Sequence, residues 1–196
     1  HTSTQRDYLA RVLAYPKAEA AKRAKQFGKD YWDGDRTFGY GGYHYDGRWR
    51  GVAQQLIQHY GLTNESSVLD IGCGKGFLLY DLQTLLPGLT IRGLDISEYA
   101  IEHAKEEVQH SLDVGNATSL PYKEDSYDLV LAINVLHNLR CYDLDKALRE
   151  VTRVSKKDAY LVVDAFRTEE ERVNLFYWQL TCACIYSVEE WEWWFS

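Results

Sequence analysis

The sequence predicts an α/β fold: a mostly parallel sheet whose strands are joined by right-handed helical crossovers. Three observations carry this reading. From residue 66 onward, short apolar runs alternate with segments that are apolar at helical spacing. The run DLVLAIN at 128–134 is continuously apolar, as a strand buried on both faces should be. The links between runs are short, which suits strands and helices that are neighbours in space.

Taken in order, the first 30 residues read as helical. Tyr8, Leu9, Val12 and Leu13 share one apolar face, Pro16 suits the start of a second helix carrying Ala18, Ala20, Ala21 and Ala24, and Gly28 is placed to stop it. Lys17, Lys22, Arg23, Lys25 and Lys29 on or just beyond that helix read as a solvated face, the other reading being a patch for an acidic substrate or RNA. Residues 31–51 differ in texture, with seven aromatic residues and six glycines. Glycine at that density rules out a long regular element. Seven aromatics on a free surface loop would expose too much apolar area, so the segment is expected to fold over a pocket or wall one.

The alternation then begins. Residues 68–71 form a strand, and a helix runs from about 76 to 86, stopped by Pro87-Gly88. Residues 90–94 form the next strand, and Ser97 caps a helix in which Ala100, Ile101, Ala104 and Val108 share a face. A weak strand follows at 111–114, then the apolar run already described, and a helix marked by Leu144, Ala147, Leu148, Val151 and Val154. Residues 160–166 read as a buried strand. A long helix from about 169 carries Val173, Phe176, Tyr177, Leu180 and Cys184, and Ser187 can cap a short last helix.

The chain has 196 residues, enough for one ordinary domain, and its net charge of −7 disfavours nucleic acid as the principal partner. No apolar run approaches the roughly 20 residues of a membrane span, so no membrane partner is expected. The four cysteines (Cys73, Cys141, Cys182, Cys184) include no CxxC pair, which reads as reduced thiols in a cytoplasmic protein. The aromatic content, 15 Tyr, 6 Trp and 6 Phe against no Met, points to a crowded core or to a site that grips a planar or sugar-like ligand.

The sharpest local signal is Asp70-Ile71-Gly72-Cys73-Gly74-Lys75-Gly76, which leaves the first strand and opens a helix. Gly72 and Gly74 let the backbone turn tightly and approach a ligand with no Cβ in the way. Asp95, at the end of the next strand, is placed for a bidentate grip on two ribose hydroxyls, each such charged bond contributing about 1.5–3 kcal/mol. A dinucleotide fingerprint needs a small residue where Phe77 stands. An acid just before the turn would also oppose a pyrophosphate, yet it suits a ligand bearing an ammonium and a sulfonium. Charge therefore favours S-adenosylmethionine over NAD.

With these residues in view, VLDIGCGKG (68–76), GLDIS (93–97), VGNATSLPYKEDSYDLVLAINVLHNL (114–139) and YLVVDAF (160–166) resemble the ordered motifs of class I S-adenosylmethionine-dependent methyltransferases. The resemblance covers about residues 66–166. It implies a Rossmann-like three-layer sandwich with a seven-stranded sheet, S-adenosyl-L-methionine as cofactor, S-adenosyl-L-homocysteine as product, and no metal. It places the turn Gly72, Cys73, Gly74 and Gly76 beside the amino-acid end of the cofactor, Asp70 near the methionyl amine, Asp95 on the ribose and Ile96 on the adenine. Where many members carry Asp-Ala, this chain has Asn116-Ala117, whose amide oxygen could still accept from the adenine amino group. Asn134 would border cofactor and acceptor. The family's closing antiparallel hairpin is not legible beyond Tyr186, so the final C-terminal hairpin is expected to be missing from a truncated chain.

Residues 1–51 are expected to form a helical and aromatic lid on a methyltransferase core of residues 52–196, one domain overall. Trp32, Tyr40, Tyr43, His44, Tyr45, Arg48 and Trp49 would wall the acceptor site, with Tyr43 and Arg48 also candidates for the cofactor carboxylate. His137, three residues beyond Asn134, is the leading candidate for a base, and Tyr43 is the second catalytic candidate. A structural histidine is the plainer reading of His137. The expected activity is methyl transfer to a small-molecule oxygen or nitrogen, oxygen preferred. An RNA or protein methyltransferase and a non-catalytic S-adenosylmethionine-binding subunit are the other two readings. Trp191, Trp193, Trp194 and Phe195, if exposed, would make a homodimer contact.

Overall fold

The computed structural model describes residues 7–196, which fall into two compact units: residues up to Tyr43 together with Asp164–Ser196, and His44–Val163. The boundary between the units falls within the 1–51 segment, after Tyr43.

In the first unit, Asp7 caps α1 (Tyr8–Ala14) by accepting the Ala10 N–H at 2.9 Å. The Tyr8 side chain lies outside the described residues, and Leu9 and Leu13 are exposed rather than packed. Helix α2 (Lys17–Ala24) starts directly after Pro16 and buries Ala20 and Ala24. Gly28 does not end this helix. It is the N-cap of the short α3 (Lys29–Trp32).

The second unit opens with α4 (Arg50–Tyr60), ended by Gly61 in the left-handed conformation. Its five-stranded sheet consists of β1 (Ser67–Ile71), β2 (Thr90–Asp95), β3 (Leu112–Val114), β4 (Tyr127–Ile133) and β5 (Ser155–Val162), in the order β3-β2-β1-β4-β5. Every pairing is parallel. Val68, Leu69 and Ile71 of the central β1 are buried, and Leu56, Leu78, Leu82, Leu129 and Leu131 belong to the same core as Val68. After β3 the chain crosses back over β1 to build β4, so β1 and β4 flank the switch point where ligands bind such sheets, outside the carboxyl ends of the strands.

Helix α5 (Phe77–Leu85) joins β1 to β2. The single helix expected after Ser97 is two pieces, α6 (Glu98–Glu102) and α7 (Glu106–Gln109). The break has a cause: the Lys105 N–H donates to the Lys75 carbonyl at 2.9 Å instead of to the preceding turn of helix. The 115–126 connection is held to α8 (Cys141–Val154) by side chains. Glu150 accepts the Leu120 N–H at 2.7 Å, and Arg153 donates to the carbonyls of Tyr122 and Leu120 at 2.7 and 3.1 Å.

Two strand expectations change. Strand β5 begins at Ser155 rather than at 160 and, among the described residues, pairs only with β4, an edge position that accommodates Lys156, Lys157 and Asp158. It ends at Val162, and β6 (Ala165–Phe166) pairs instead with β7 (Tyr186–Ser187) as a separate two-stranded parallel sheet in the first unit. Five strands rather than seven thus lie in the main sheet among the described residues. Helix α9 (Glu169–Trp178) is capped by Thr168 and stops at Trp178, short of Leu180 and Cys184, because Gln179 turns extended. Helix α10 (Val188–Phe195) begins with a capping box of Ser187 and Glu190. Its Trp191 is buried and donates to the Asp164 carbonyl at 3.0 Å, whereas Trp193 is 71% exposed. Among the described residues no helix is long and apolar enough to cross a membrane.

Candidate cofactor site

The glycine turn is built by the end of β2. The Leu94 carbonyl accepts from both Gly72 N–H, at 2.6 Å, and Cys73 N–H, at 3.2 Å. This pulls the chain back on itself just after β1 and demands a left-handed backbone, φ +74° at Gly72. A Cβ there would stand 2.1 Å from Cγ2 of Val135, at the end of β4, so the switch point admits nothing larger than glycine. Gly76, at φ +72°, opens α5 with Val108 and Leu112 close behind it. Cys73 turns its sulfur toward β2, where a Cβ on Gly93 would come within 2.7 Å of it, and burial pushes the thiol well above its usual range. What Cys73 offers a ligand is therefore backbone.

Two carboxylates flank the turn. Asp95 accepts the Gly74 N–H at 2.7 Å on one oxygen and the Ser97 N–H at 2.8 Å on the other. An ionised carboxylate has about four acceptor positions, so acceptor capacity remains for a hydroxyl donor beyond the backbone N–H groups. Burial raises the Asp95 pKa, and the N–H groups of Ser97, Gly74 and Ile96 oppose that shift. Asp70 is buried on β1, its pKa pushed up to about 8 by desolvation first and by the charge of Asp95 second. A buried acid in this state gains by meeting a cation.

The pairing of β2 with β3 sets Asp95 opposite Val114, and the Gly115 N–H donates to the Asp95 carbonyl at 2.8 Å. This joins the 95–97 and 115–117 segments at one edge of the site. Ile96 is 56% exposed, an apolar surface left open beside the acid, and Ala117 is buried. Asn116 folds into a turn in which its Oδ1 accepts both the Thr118 N–H and the Thr118 hydroxyl, each at 3.0 Å. The amide oxygen expected to be available for a base is thus already used. Asn134 ends β4 at φ +59°, a conformation asparagine tolerates better than most residues, with its N–H on the Val162 carbonyl at 2.8 Å. Asp70, Gly72, Gly74, Gly76, Asp95, Ile96, Asn116, Ala117 and Asn134 all lie at the carboxyl ends of β1–β4 or in the segments leaving them. These features fit a nucleoside with a cationic tail: a tight glycine turn at the switch point, a carboxylate with acceptor capacity left, and a second buried acid.

A family model described as "Methyltransferase domain" matches residues 62–195. The chain belongs to the class I S-adenosylmethionine-dependent methyltransferases. Among curated relatives, it is 33% identical over 145 residues to the tRNA (carboxymethyluridine(34)-5-O)-methyltransferase of Arabidopsis thaliana, covering 74% of this chain and 34% of that protein. It is also 33% identical over 104 residues to norajmaline N-methyltransferase of Rauvolfia serpentina, covering 50% of this chain and 35% of that one. The chain thus spans about a third of the length of these two relatives. The crystal structure of the YcgJ protein of Bacillus subtilis is similar with a TM-score of 0.59 at 26% identity, over 74% of this chain and 65% of that one.

The residues expected to wall an acceptor site fall in both compact units. Trp32, Tyr40 and Tyr43 belong to the first unit, where Trp32 is buried with its indole N–H on the Phe27 carbonyl at 3.0 Å. Tyr40 stacks on Trp32 at 5.3 Å, and Tyr43 lies 4.6 Å from Tyr40. These rings pack on one another. In the second unit Trp49 packs against the apolar core, Arg48 is clamped to both oxygens of Asp46 at 2.6–2.9 Å, and His44 is exposed. His137 lies in a short 3-10 turn (Leu136–Asn138) and is 2% exposed.

One residue escaped the reading of the sequence. Asp81 of α5 is fully buried and accepts the Tyr45 hydroxyl at 2.7 Å, while its other oxygen has no hydrogen-bond partner among the described residues. The bond holds the Tyr45 pKa up at about 12 and seats its ring 5.6 Å from Phe77, the first residue after the glycine turn. Lys105 closes the group from above the rings of Tyr80 and Tyr45, at 4.3 and 5.2 Å. The sequence carried a signal: an aspartate within FLLYDLQTL, a helix otherwise apolar on its inner face.

Proposed function

We propose that the chain binds S-adenosylmethionine at the ends of β1 and β2 and transfers its methyl group to an oxygen or nitrogen of a small molecule, oxygen preferred. One observation carries the reading: a buried acid on each side of a glycine turn, an arrangement hostile to a pyrophosphate and suited to a cationic nucleoside. When bound, S-adenosylmethionine supplies an electrophilic methyl group on a sulfonium. Asp95 offers its remaining acceptor capacity to the ribose hydroxyls. Asp70 gives up its proton and faces the ammonium. Gly72 and Gly74 let the backbone close on the ligand, and Ile96 offers the base an apolar face.

The acceptor class rests on charge. Relatives act on a tRNA in one case and on norajmaline in another, as their names state. The net charge of −7 opposes a polyanionic acceptor and supports the small-molecule reading. The four free cysteines suit a reducing compartment such as the cytoplasm. His137 fits packing at the end of β4 better than proton transfer, since a base must reach the proton it abstracts.

Calorimetry with S-adenosylmethionine, S-adenosylhomocysteine and NAD tests the reading directly. Binding of the first two and not of NAD is expected. Asp95→Ala should weaken binding about tenfold or more, given about 1.5–3 kcal/mol per hydrogen bond to a charged group. Binding of NAD, or an Asp95→Ala variant with unchanged affinity, would overturn it.

A further inference from the structure

In Asp81 burial and chemistry conflict. The residue has no exposed surface, one oxygen accepts the Tyr45 hydroxyl at 2.7 Å, and the other has no hydrogen-bond partner among the described residues. A buried acceptor left unmet lowers stability, and an apolar side chain of similar size on this helix would avoid the loss. What the aspartate does achieve is the placement of Tyr45.

That placement closes a ring of contacts around the glycine turn. Within the turn, the Lys75 carbonyl accepts the Lys105 N–H at 2.9 Å. The Lys105 ammonium, held by both Glu107 oxygens at 2.9 and 3.1 Å, lies 5.2 Å from the centre of the Tyr45 ring. Tyr45 is fixed by Asp81 through its hydroxyl and meets Phe77 edge-on at 5.6 Å, and Phe77 follows Gly76 and leads back to the turn. Of these residues Tyr45 alone precedes β1, so the Asp81 bond ties a separate stretch of chain to the turn. The turn needs such support, because its glycines have wide backbone freedom and no side chains to anchor them. We propose that Asp81 is a positioning residue for the cofactor: through Tyr45 it completes this brace and holds the glycine turn in the conformation that receives the ligand, an inference that rests on the cofactor reading above. Without the brace the ligand must order the turn itself, and the cost of ordering appears as lost affinity.

The test is calorimetry with S-adenosylhomocysteine, which needs neither the acceptor nor turnover, under conditions where urea unfolding shows each variant fully folded, so that global stability does not enter the affinity. The double variant Tyr45→Phe/Asp81→Leu removes hydroxyl and carboxylate together and leaves no acceptor unmet. It should bind S-adenosylhomocysteine about fivefold more weakly than wild type, or worse. Asp81→Asn keeps an oxygen for the Tyr45 hydroxyl and should restore affinity close to wild type. A bond that serves stability alone predicts wild-type affinity in every folded variant. Wild-type affinity in the double variant, or a loss in Asp81→Asn as large as in the double variant, would overturn the proposal and leave the cofactor reading intact. Should the double variant not fold, Tyr45→Phe, which loses a single oxygen, decides by the same measurement: weakened binding supports the proposal and unchanged binding overturns it. Absence of binding by the wild-type chain would instead overturn the cofactor reading, and this inference with it.

Discussion

An alanine at position 72 would put its Cβ 2.1 Å from Cγ2 of Val135, on a backbone held at φ +74°. The two faults have separate magnitudes. A left-handed conformation costs a residue with a Cβ about 1–2 kcal/mol. Forcing a methyl into a packed site costs about 1–3 kcal/mol more. Gly72→Ala should therefore destabilise by about 2–5 kcal/mol. In a chain of this size that lowers the melting temperature by about 4–20 °C. Truncating the neighbour separates the terms. Val135→Ala removes both γ carbons and leaves Cβ at 3.2 Å as the nearest atom, so the double variant should recover the crowding term and keep the conformational one. The cycle, measured by thermal and urea unfolding, should show about 1–3 kcal/mol of coupling in the stabilising direction. Additivity within about 0.5 kcal/mol would refute the close approach of the turn to β4.

Two further predictions concern ionisation and the base. Because the folded-state pKa of Asp70 is raised to about 8, against about 3.9 unfolded, the ligand-free fold retains a proton that the unfolded chain releases. The stability from this group is fully present below about pH 4 and is lost as pH rises toward 8, so Asp70→Asn should flatten the decline in urea midpoint between pH 5 and 8. A wild-type midpoint that rises across this range with Asp70→Asn parallel to it would count against the assignment. His137→Gln should lower the melting temperature while leaving the shape of the rate–pH profile unchanged, given 2% exposure of the ring. Loss of a limb near pH 6.5 in that variant would restore His137 as a base.

The glycine turn was legible because it is a short-range feature. A strand, glycines at fixed spacing and a helix start are each set by a few consecutive residues, and Asp95 follows at the end of the next apolar run. The α6–α7 break was not legible, since it depends on the Lys75 carbonyl taking the Lys105 N–H. Nor was the start of β5, whose charged residues sit on the edge strand of the sheet among the described residues. The partners of the aromatic segment were not legible for a related reason. Composition showed that its rings must be covered, but not by what. Trp32 is buried with Tyr40 stacked on it, Trp49 packs against the core, and Tyr45 is held by an acid 36 residues further along.

By itself, then, the sequence determined the alternation of strand and helix, the turn after β1, the two acids beside it and the family to which they belong. These follow from backbone preference and local apolar pattern. Only the tertiary structure decided which acid is pushed toward neutrality, which aromatics are packed away and which oxygen holds Tyr45. Those outcomes depend on desolvation and on partners distant in the chain, and neither is written in the spacing of neighbouring residues.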